Sequence, residues 1–322
     1  MDRRRHDSMD DGGDAMKVGC TAWAFTYPGY GAPYEDAIRA VGELGFAGVE
    51  LILYSEEDLL HYYTPARIAE LRRLYRSYGL TLSEFALYDS VVGDLASLEP
   101  ERKARALENF ARGAAIAREL GTDTLNMVAQ WPRGLKGPTP YPPHVIYTQV
   151  RGQEKFSPKL ELELPPDFNW EAIWRNYVDS IRTCTQIAAD HNLRFALEGH
   201  THVIVPHTDS FLRLFDHVPH AALGTNFDTG WQFMQREYLP MSIHKLGQKI
   251  FHVHAKDSDG LLNYSLPPGL GIIDWDGVVD ALHAVGFDGF LSLEVGRLKD
   301  PQRWLEQARV YLEGVIAAHG YA

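Results

Sequence analysis

LRFALEGH at 193–200, AALGTNFD at 221–228, IFHVHAKD at 250–257 and GFLSLEVG at 289–296 decide the reading of this chain. Each is a short apolar run that closes on an acid or an imidazole: Glu198, Asp228, His254 and Glu294. A helix-like stretch separates each run from the next. Strands that are apolar throughout and alternate with helices pair in parallel, because helices cover both faces of such a sheet. Parallel strands all end on the same side, so these four ends face one point.

The same rhythm extends outward to the whole chain. Four earlier strands are predicted at 17–25, 46–53, 80–87 and 122–129. Helices are predicted at 34–44, 65–78, 101–120, 170–191, 208–217, 238–247, 275–285 and 301–319. Eight strand–helix units imply a closed α/β architecture, the (β/α)8 or TIM barrel, as a single domain. Thr64-Pro65 and Asp274-Trp275 read as helix starts, and Gly45, Gly79, Gly121 and Gly286 as helix exits. LGFAGVEL (44–51) and VGFDGFLSLE (285–294) repeat one device, a Gly-x-x-Gly helix exit followed by a strand that carries a Glu.

Residues 1–15 read as a disordered, solvated tail, with the barrel over 16–322. Segment 129–169 interrupts the rhythm after strand 4. It contains eight prolines and a small alternating run, KLELEL (159–164). Loops of that length are commonly functional, and a loop that follows a barrel strand lies over the active face. The expectation is a lid or a partner-binding arm, to which His144 and Arg151 would contribute.

Of the 322 residues, 45% are hydrophobic and 23% charged, ordinary for a globular protein. The net charge is -12, from 43 acids and 31 bases, which argues against a nucleic-acid partner. No apolar run is long enough for a membrane span, and no apolar segment backs the basic N-terminus as a signal peptide requires. The two cysteines, Cys20 and Cys184, suit a reducing compartment, so a cytoplasmic location is expected.

Three carboxylates and one imidazole form a hard, oxygen-rich ligand set. It suits Mn²⁺ first, then Mg²⁺ or Co²⁺, with Zn²⁺ also feasible. Such an ion, chelating a carbonyl and its neighbouring hydroxyl, acidifies the C–H between them. Glu198 and Glu294, from strands 5 and 8, could flank a bound sugar as base and acid. The reaction class is proton abstraction α to a carbonyl, followed by reprotonation or by loss of a β-substituent.

Other residues are candidates for substrate contacts. His200 shares a strand face with Glu198. Asn126 ends strand 4, and Trp23, Phe25, Trp131 and Trp231 lie at or just beyond strand ends, where aromatics suit sugar rings. Asp257 follows the strand-7 imidazole. Glu50 and Glu84 point into the barrel, in a functional or a structural role, and His252, on the face of His254, reads as a core residue or as a support behind the site. Lys256 and Arg297 are the candidates for a phosphate.

These motifs resemble the xylose isomerase-like TIM-barrel superfamily, the sugar phosphate isomerase/epimerase group, over about residues 16–319. The resemblance is carried by GFAGVEL, LEGH, NFDTGW, HVHAKD, PPGLGIIDW (267–275) and GFDGFLSLE. It implies metal ligands at Glu198, Asp228, His254 and Glu294, with the two glutamates serving as acid and base. Two positions depart from the epimerase pattern. Trp231 stands where many epimerases carry a substrate-contacting His. Asp257, Asp259 and Asn263 follow the strand-7 His where an Arg is frequent.

A narrower resemblance is to the large (alpha) subunit of C-glycoside deglycosidases, through the DSDG step and the extended loop after strand 4. It implies a lyase that cleaves 3-oxo-C-glycosides by β-elimination, working with a small second subunit. The expected partners are therefore a small sugar or glycoside and further protein chains in an oligomer. Two competing classes are an endonuclease IV-like nuclease, which needs a His-rich three-metal cluster and a basic groove, and a non-catalytic scaffold.

Overall fold

The computed structural model describes residues 15–26, 29–133, 162–261, 265–296 and 298–321. Eight parallel strands close into a barrel in sequence order, with β1 pairing to both β2 and β8. They are β1 Lys17–Thr21, β2 Gly48–Leu53, β3 Thr81–Leu87, β4 Thr124–Val128, β5 Arg194–Glu198, β6 Leu223–Asp228, β7 Ile250–Ala255 and β8 Phe290–Leu293. Every residue of β2, β6 and β7 is buried, which is why these strands read as continuous apolar runs.

Among the described residues, eight longer helices form the outer ring: α1 Glu35–Glu43, α2 Pro65–Ser77, α3 Pro100–Leu120, α4 Trp170–Asp190, α5 Thr208–His217, α6 Leu239–Leu246, α7 Trp275–Ala284 and α8 Pro301–Ala318. Each turns an apolar stripe inward, as α1 does with Ala37, Ile38 and Val41. Thr64 caps α2 by accepting from Arg67 N, and Asp274 caps α7 by accepting from Gly277 N. Such caps contribute about 1 kcal/mol each. Gly45, Gly79, Gly121 and Gly286 take φ of +78°, +73°, +93° and +75°, the left-handed exits their positions require.

The strands end earlier than their apolar runs. β1 stops at Thr21 because Trp23–Thr26 winds into a helical turn, and β8 stops one residue short of Glu294. Further short helical pieces follow β2 (Asp58–Tyr62), β3 (Asp89–Val92 and Gly93–Ala96) and β6 (Thr229–Met234). They are too short to show a helical period in sequence. All follow strands, so they line the face of the barrel where the strands end.

Residues 134–161 lie outside the described residues, and with them His144, Arg151 and most of the segment expected to be a lid or arm. The tail up to residue 14 and Arg297 lie outside as well. Cys20 and Cys184 are buried and free. Among the described residues, no helix is long and apolar enough to cross a membrane.

Candidate metal centre

Strand register brings the acids and the imidazole together. Asp228 pairs with His254 across β6 and β7, and Glu198 pairs with Asn226 across β5 and β6. His254 pairs with Ser292 across β7 and β8, so Glu294 follows two residues further along the same face. Glu198, Asp228, His254 and Glu294 each offer one ligand atom, and these atoms all lie within 4.8 Å of one another. His254 Nδ1 is 3.2 Å from Glu198 Oε2 and 3.1 Å from Glu294 Oε2.

Hydrogen bonds tie one oxygen of two ligands and leave the other turned inward. The Trp231 backbone N–H donates to Asp228 Oδ1 (2.8 Å), because Asp228 also caps the short helix after β6. Trp23 Nε1 donates to Glu294 Oε1 (3.2 Å). The second oxygens, Asp228 Oδ2 and Glu294 Oε2, both meet the Lys256 ammonium, and His254 Nδ1 faces Glu198 and Glu294. These three atoms converge with Glu198, as three oxygens and one nitrogen, a donor set that fits a hard divalent cation.

A second layer lies beneath. Glu50 pairs with Glu84 across β2 and β3, at a bulge in the ladder. Glu50 Oε2 is 3.0 Å from His254 Nε2, and Glu50 Oε1 is 2.6 Å from His252 Nε2. A carboxylate at Nε2 fixes the proton there when the ring is neutral, and leaves the Nδ1 lone pair facing the ligand point. His252 Nε2 also lies 3.1 Å from Ser292 Oγ. Asn226 Nδ2 joins the two layers, donating to Glu84 Oε1 (3.3 Å) and Glu198 Oε2 (3.2 Å).

Opposing charges dominate the electrostatics. Lys256 Nζ is 2.6 Å from Asp228 Oδ2 and in close contact with Glu294 Oε2. Burial pushes Asp228 up to about 7; Lys256 pulls against it, while Glu198 and Glu294 add to it. Burial also disfavours ionised Glu294, yet Lys256 and His254 outweigh it and hold this carboxyl below its ordinary range. His254 is raised despite burial, because Glu198, Glu294 and Glu50 surround it. Glu84 is raised by burial and by Glu50. Carboxylates from Glu198, Asp228, Glu294 and Glu50 surround these cationic groups, a setting that favours positive charge.

The remaining predicted residues take varied places. The His200 ring centroid is 3.6 Å from that of Trp231 and 5.7 Å from that of Trp131, so the three form one aromatic wall. Burial and Lys256 lower the His200 pKa, which keeps the ring neutral. Asn126 Nδ2 donates to Glu198 Oε2 (3.4 Å), so it steadies a candidate ligand. Trp23 does the same for Glu294 through its N–H.

Asp257 requires a correction. It was expected to contact substrate, but it is fully buried and its carboxylate accepts four hydrogen bonds, three from backbone N–H groups of its own loop and one from the Trp275 indole. Its task is to hold the segment between β7 and α7. Asn226 and the tie from Glu50 to His254 were missed. Alternation could have found Asn226, which sits two residues before Asp228 on the same face.

The family described as xylose isomerase-like TIM barrel matches this chain over residues 38–314. A curated relative, an uncharacterized protein of Methanocaldococcus jannaschii, is 27% identical over 160 residues. That match covers 44% of this chain, and the chain spans about half the length of the relative (53%). Among solved structures, D-psicose 3-epimerase from Clostridium cellulolyticum H10 superposes with a TM-score of 0.73 at 18% identity, covering 94% of this chain and 99% of that one. The 3-keto-D-glucoside 4-epimerase of E. coli gives 0.69 at 19% identity, covering 93% and 99%. A probable 3-DHS dehydratase of Bacillus anthracis gives 0.68 at 19% identity, covering 92% and 99%. At such identities the likeness is one of fold.

Proposed function

Because the chain belongs to the xylose isomerase-like TIM barrel family, we propose that it is a divalent-metal-dependent enzyme that abstracts a proton α to a carbonyl of a sugar or keto-sugar, as an isomerase or epimerase. The observation that carries this reading is the convergence of one ligand atom each from Glu198, Asp228, His254 and Glu294 within 4.8 Å of one another. These four residues would hold the ion, with Mn²⁺ the first choice for such donors. When bound, the ion supplies Lewis acidity that lowers the pKa of the C–H beside a carbonyl.

The chain's own residues do the rest. Glu294 has one oxygen fixed by Trp23 and the other turned to the site beside His254 and Lys256, placed to take the proton. Glu198 is steadied by the amides of Asn126 and Asn226 and serves on the other side of the substrate. Returning the proton from the opposite face inverts the carbon; moving it to the neighbouring carbon isomerises the sugar. Trp131, His200 and Trp231 offer an aromatic wall beside the ligands, suited to the apolar face of a ring. Two solved structures that share the fold, named as a 3-epimerase and a 4-epimerase of sugars, support this class.

The test is solvent-deuterium incorporation read by mass spectrometry, with Mn²⁺-loaded protein, ketohexoses and a 3-oxo-glucoside in D₂O. A gain of one deuterium is expected. It should fall at least about 100-fold in Glu198→Gln and in Glu294→Gln, the usual scale for losing a general base or acid. Full exchange in both variants would refute the assignment. Release of the aglycone from a 3-oxo-glycoside would place the chain with the β-eliminating lyases, the C-glycoside deglycosidase reading, which starts from the same abstraction. A nuclease is disfavoured by the net charge of -12.

A further inference from the structure

Lys256 brings an ammonium to the acid cluster, and the chemistry above gives it no task. Its root is fixed: the backbone N–H donates to Thr229 Oγ1 (2.9 Å), and Thr229 Oγ1 donates to the Lys256 carbonyl (2.7 Å). This clamp ties the end of β7 to the residue after Asp228. From there the side chain reaches Asp228 Oδ2 and Glu294 Oε2, with Nζ 5.5 Å from the Trp231 ring centroid.

Exposure locates the mouth of the site. The Glu294 side chain is 22% exposed, against 4% for Glu198, 2% for His254 and 0% for Asp228. Glu294 is thus the ligand candidate nearest solvent, and Lys256, itself 6% exposed, lies directly behind it. Charge gives the reason a cation belongs there. Three carboxylates and a neutral imidazole around a divalent ion sum to one net negative charge. A substrate that loses a proton adds another. In a dry site such charges repel strongly unless a fixed cation is near.

We propose that Lys256 is a catalytic residue whose ammonium donates a hydrogen bond to the substrate oxygen that gains negative charge as the α-proton leaves. It rests on the α-proton reading and deepens it. The substrate is then an α-hydroxy ketone or aldehyde that presents this oxygen on the Glu294 side. The proton passes to the carboxylate base, the C–H electron pair moves to the carbonyl carbon bond, and the carbonyl oxygen takes the charge that Lys256 offsets. On reprotonation of carbon the charge is discharged and Lys256 keeps its own proton.

The test compares wild type with Lys256→Met and Lys256→Gln, using Mn²⁺ alone and then threonohydroxamate, a planar anion that mimics the deprotonated sugar. Calorimetry reads Mn²⁺ affinity, and the Mn²⁺ electron paramagnetic resonance line shape reads the hydroxamate. Mn²⁺ should bind both variants as tightly as wild type or tighter, because a competing positive charge is gone. Hydroxamate affinity should fall at least tenfold in both, and kcat should fall more than KM rises. Parallel loss of Mn²⁺ affinity and hydroxamate affinity would make Lys256 a strut for the ligands and overturn the proposal. Hydroxamate binding within twofold of wild type in either variant would overturn it as well. A wild type that binds Mn²⁺ but neither binds hydroxamate nor exchanges a C–H would sink the α-proton reading and this one together. A wild type that does both, beside variants equal to it, would sink only the role of Lys256.

Discussion

Asp257→Asn separates a structural carboxylate from a substrate contact. Asp257 Oδ1 accepts from Ser258 N (2.8 Å) and Ile273 N (3.1 Å), and Oδ2 accepts from Gly269 N (2.9 Å) and Trp275 Nε1 (3.0 Å). An asparagine keeps one acceptor oxygen. Whichever way its amide turns, one pair of donors faces an NH₂ group. Hydrogen bonds to a charged acceptor contribute about 1.5–3 kcal/mol each, and neighbouring losses are not additive. The expected destabilisation is about 3–5 kcal/mol, read by equilibrium urea denaturation. Mn²⁺ affinity should stay within a few fold, because the four hydrogen bonds to this carboxylate come from its own loop and from Trp275. A substrate contact would behave oppositely, raising KM at unchanged stability. A stability loss under about 1 kcal/mol with a raised KM would refute the reasoning.

Three further outcomes are expected. Glu50→Gln presents a carbonyl to one of His252 and His254 and an NH₂ to the other, which disturbs the proton on His254 Nε2. Mn²⁺ affinity by calorimetry should drop about 10–100-fold, the usual effect of losing a carboxylate behind a ligand histidine; an unchanged value would contradict that role. In Gly199→Ala the new methyl would lie 2.7 Å from the Pro206 carbonyl oxygen and 2.9 Å from Gln232 Nε2 and the Phe211 ring, directly after Glu198. A loss of about 1–3 kcal/mol in denaturation and lower activity are expected, as for overpacking in general. His319 is raised above its ordinary value of 6.5 by its hydrogen bond to Asp276, and then by Asp280, both on α7. Its folded pKa is the higher one, so its contribution is complete below about 6.5 and fades as pH rises through the folded value. An NMR titration should show the upward shift, and His319→Gln should flatten that part of the stability profile.

The barrel was legible because burial on both faces makes the strands apolar runs, and four helix exits carry a glycine at positive φ, Gly45, Gly79, Gly121 and Gly286. The four candidate ligands were legible for a related reason: a charged side chain that closes such a run must sit at its end. That rule also misled, since Asp257 closes the run in β7 equally well. What distinguishes it is a backbone bridge to Leu266, which turns the chain back so that the carboxylate points into its own loop. Trp23 was read as an aromatic platform, while its N–H is what holds Glu294. Glu50, Glu84 and His252 were visible as residues, but their contacts stayed hidden because these depend on register. The pairing of Glu50 with Glu84 follows a bulge after Val49, and no local pattern marks that bulge.

The two layers also suggest where specificity resides. Glu198, Asp228 and His254 stand on strands, Glu294 stands one residue beyond one, and their partners Glu50, Asn126, Asn226 and His252 stand on strands too. Rigid elements hold such a constellation more closely than loops do. Trp23, Trp131, His200 and Trp231 instead stand in segments that follow β1, β4, β5 and β6. Loops can therefore be exchanged to change the pocket without disturbing the four candidate ligands, and Trp231 illustrates the limit. Its backbone N–H fixes Asp228 while its ring meets His200, so a change of side chain there can alter the pocket and leave the ligand's hydrogen bond in place. Trp231→His should thus retain Mn²⁺ binding and change substrate preference. Loss of the metal in that variant would mean that the ring, not the backbone, supports Asp228.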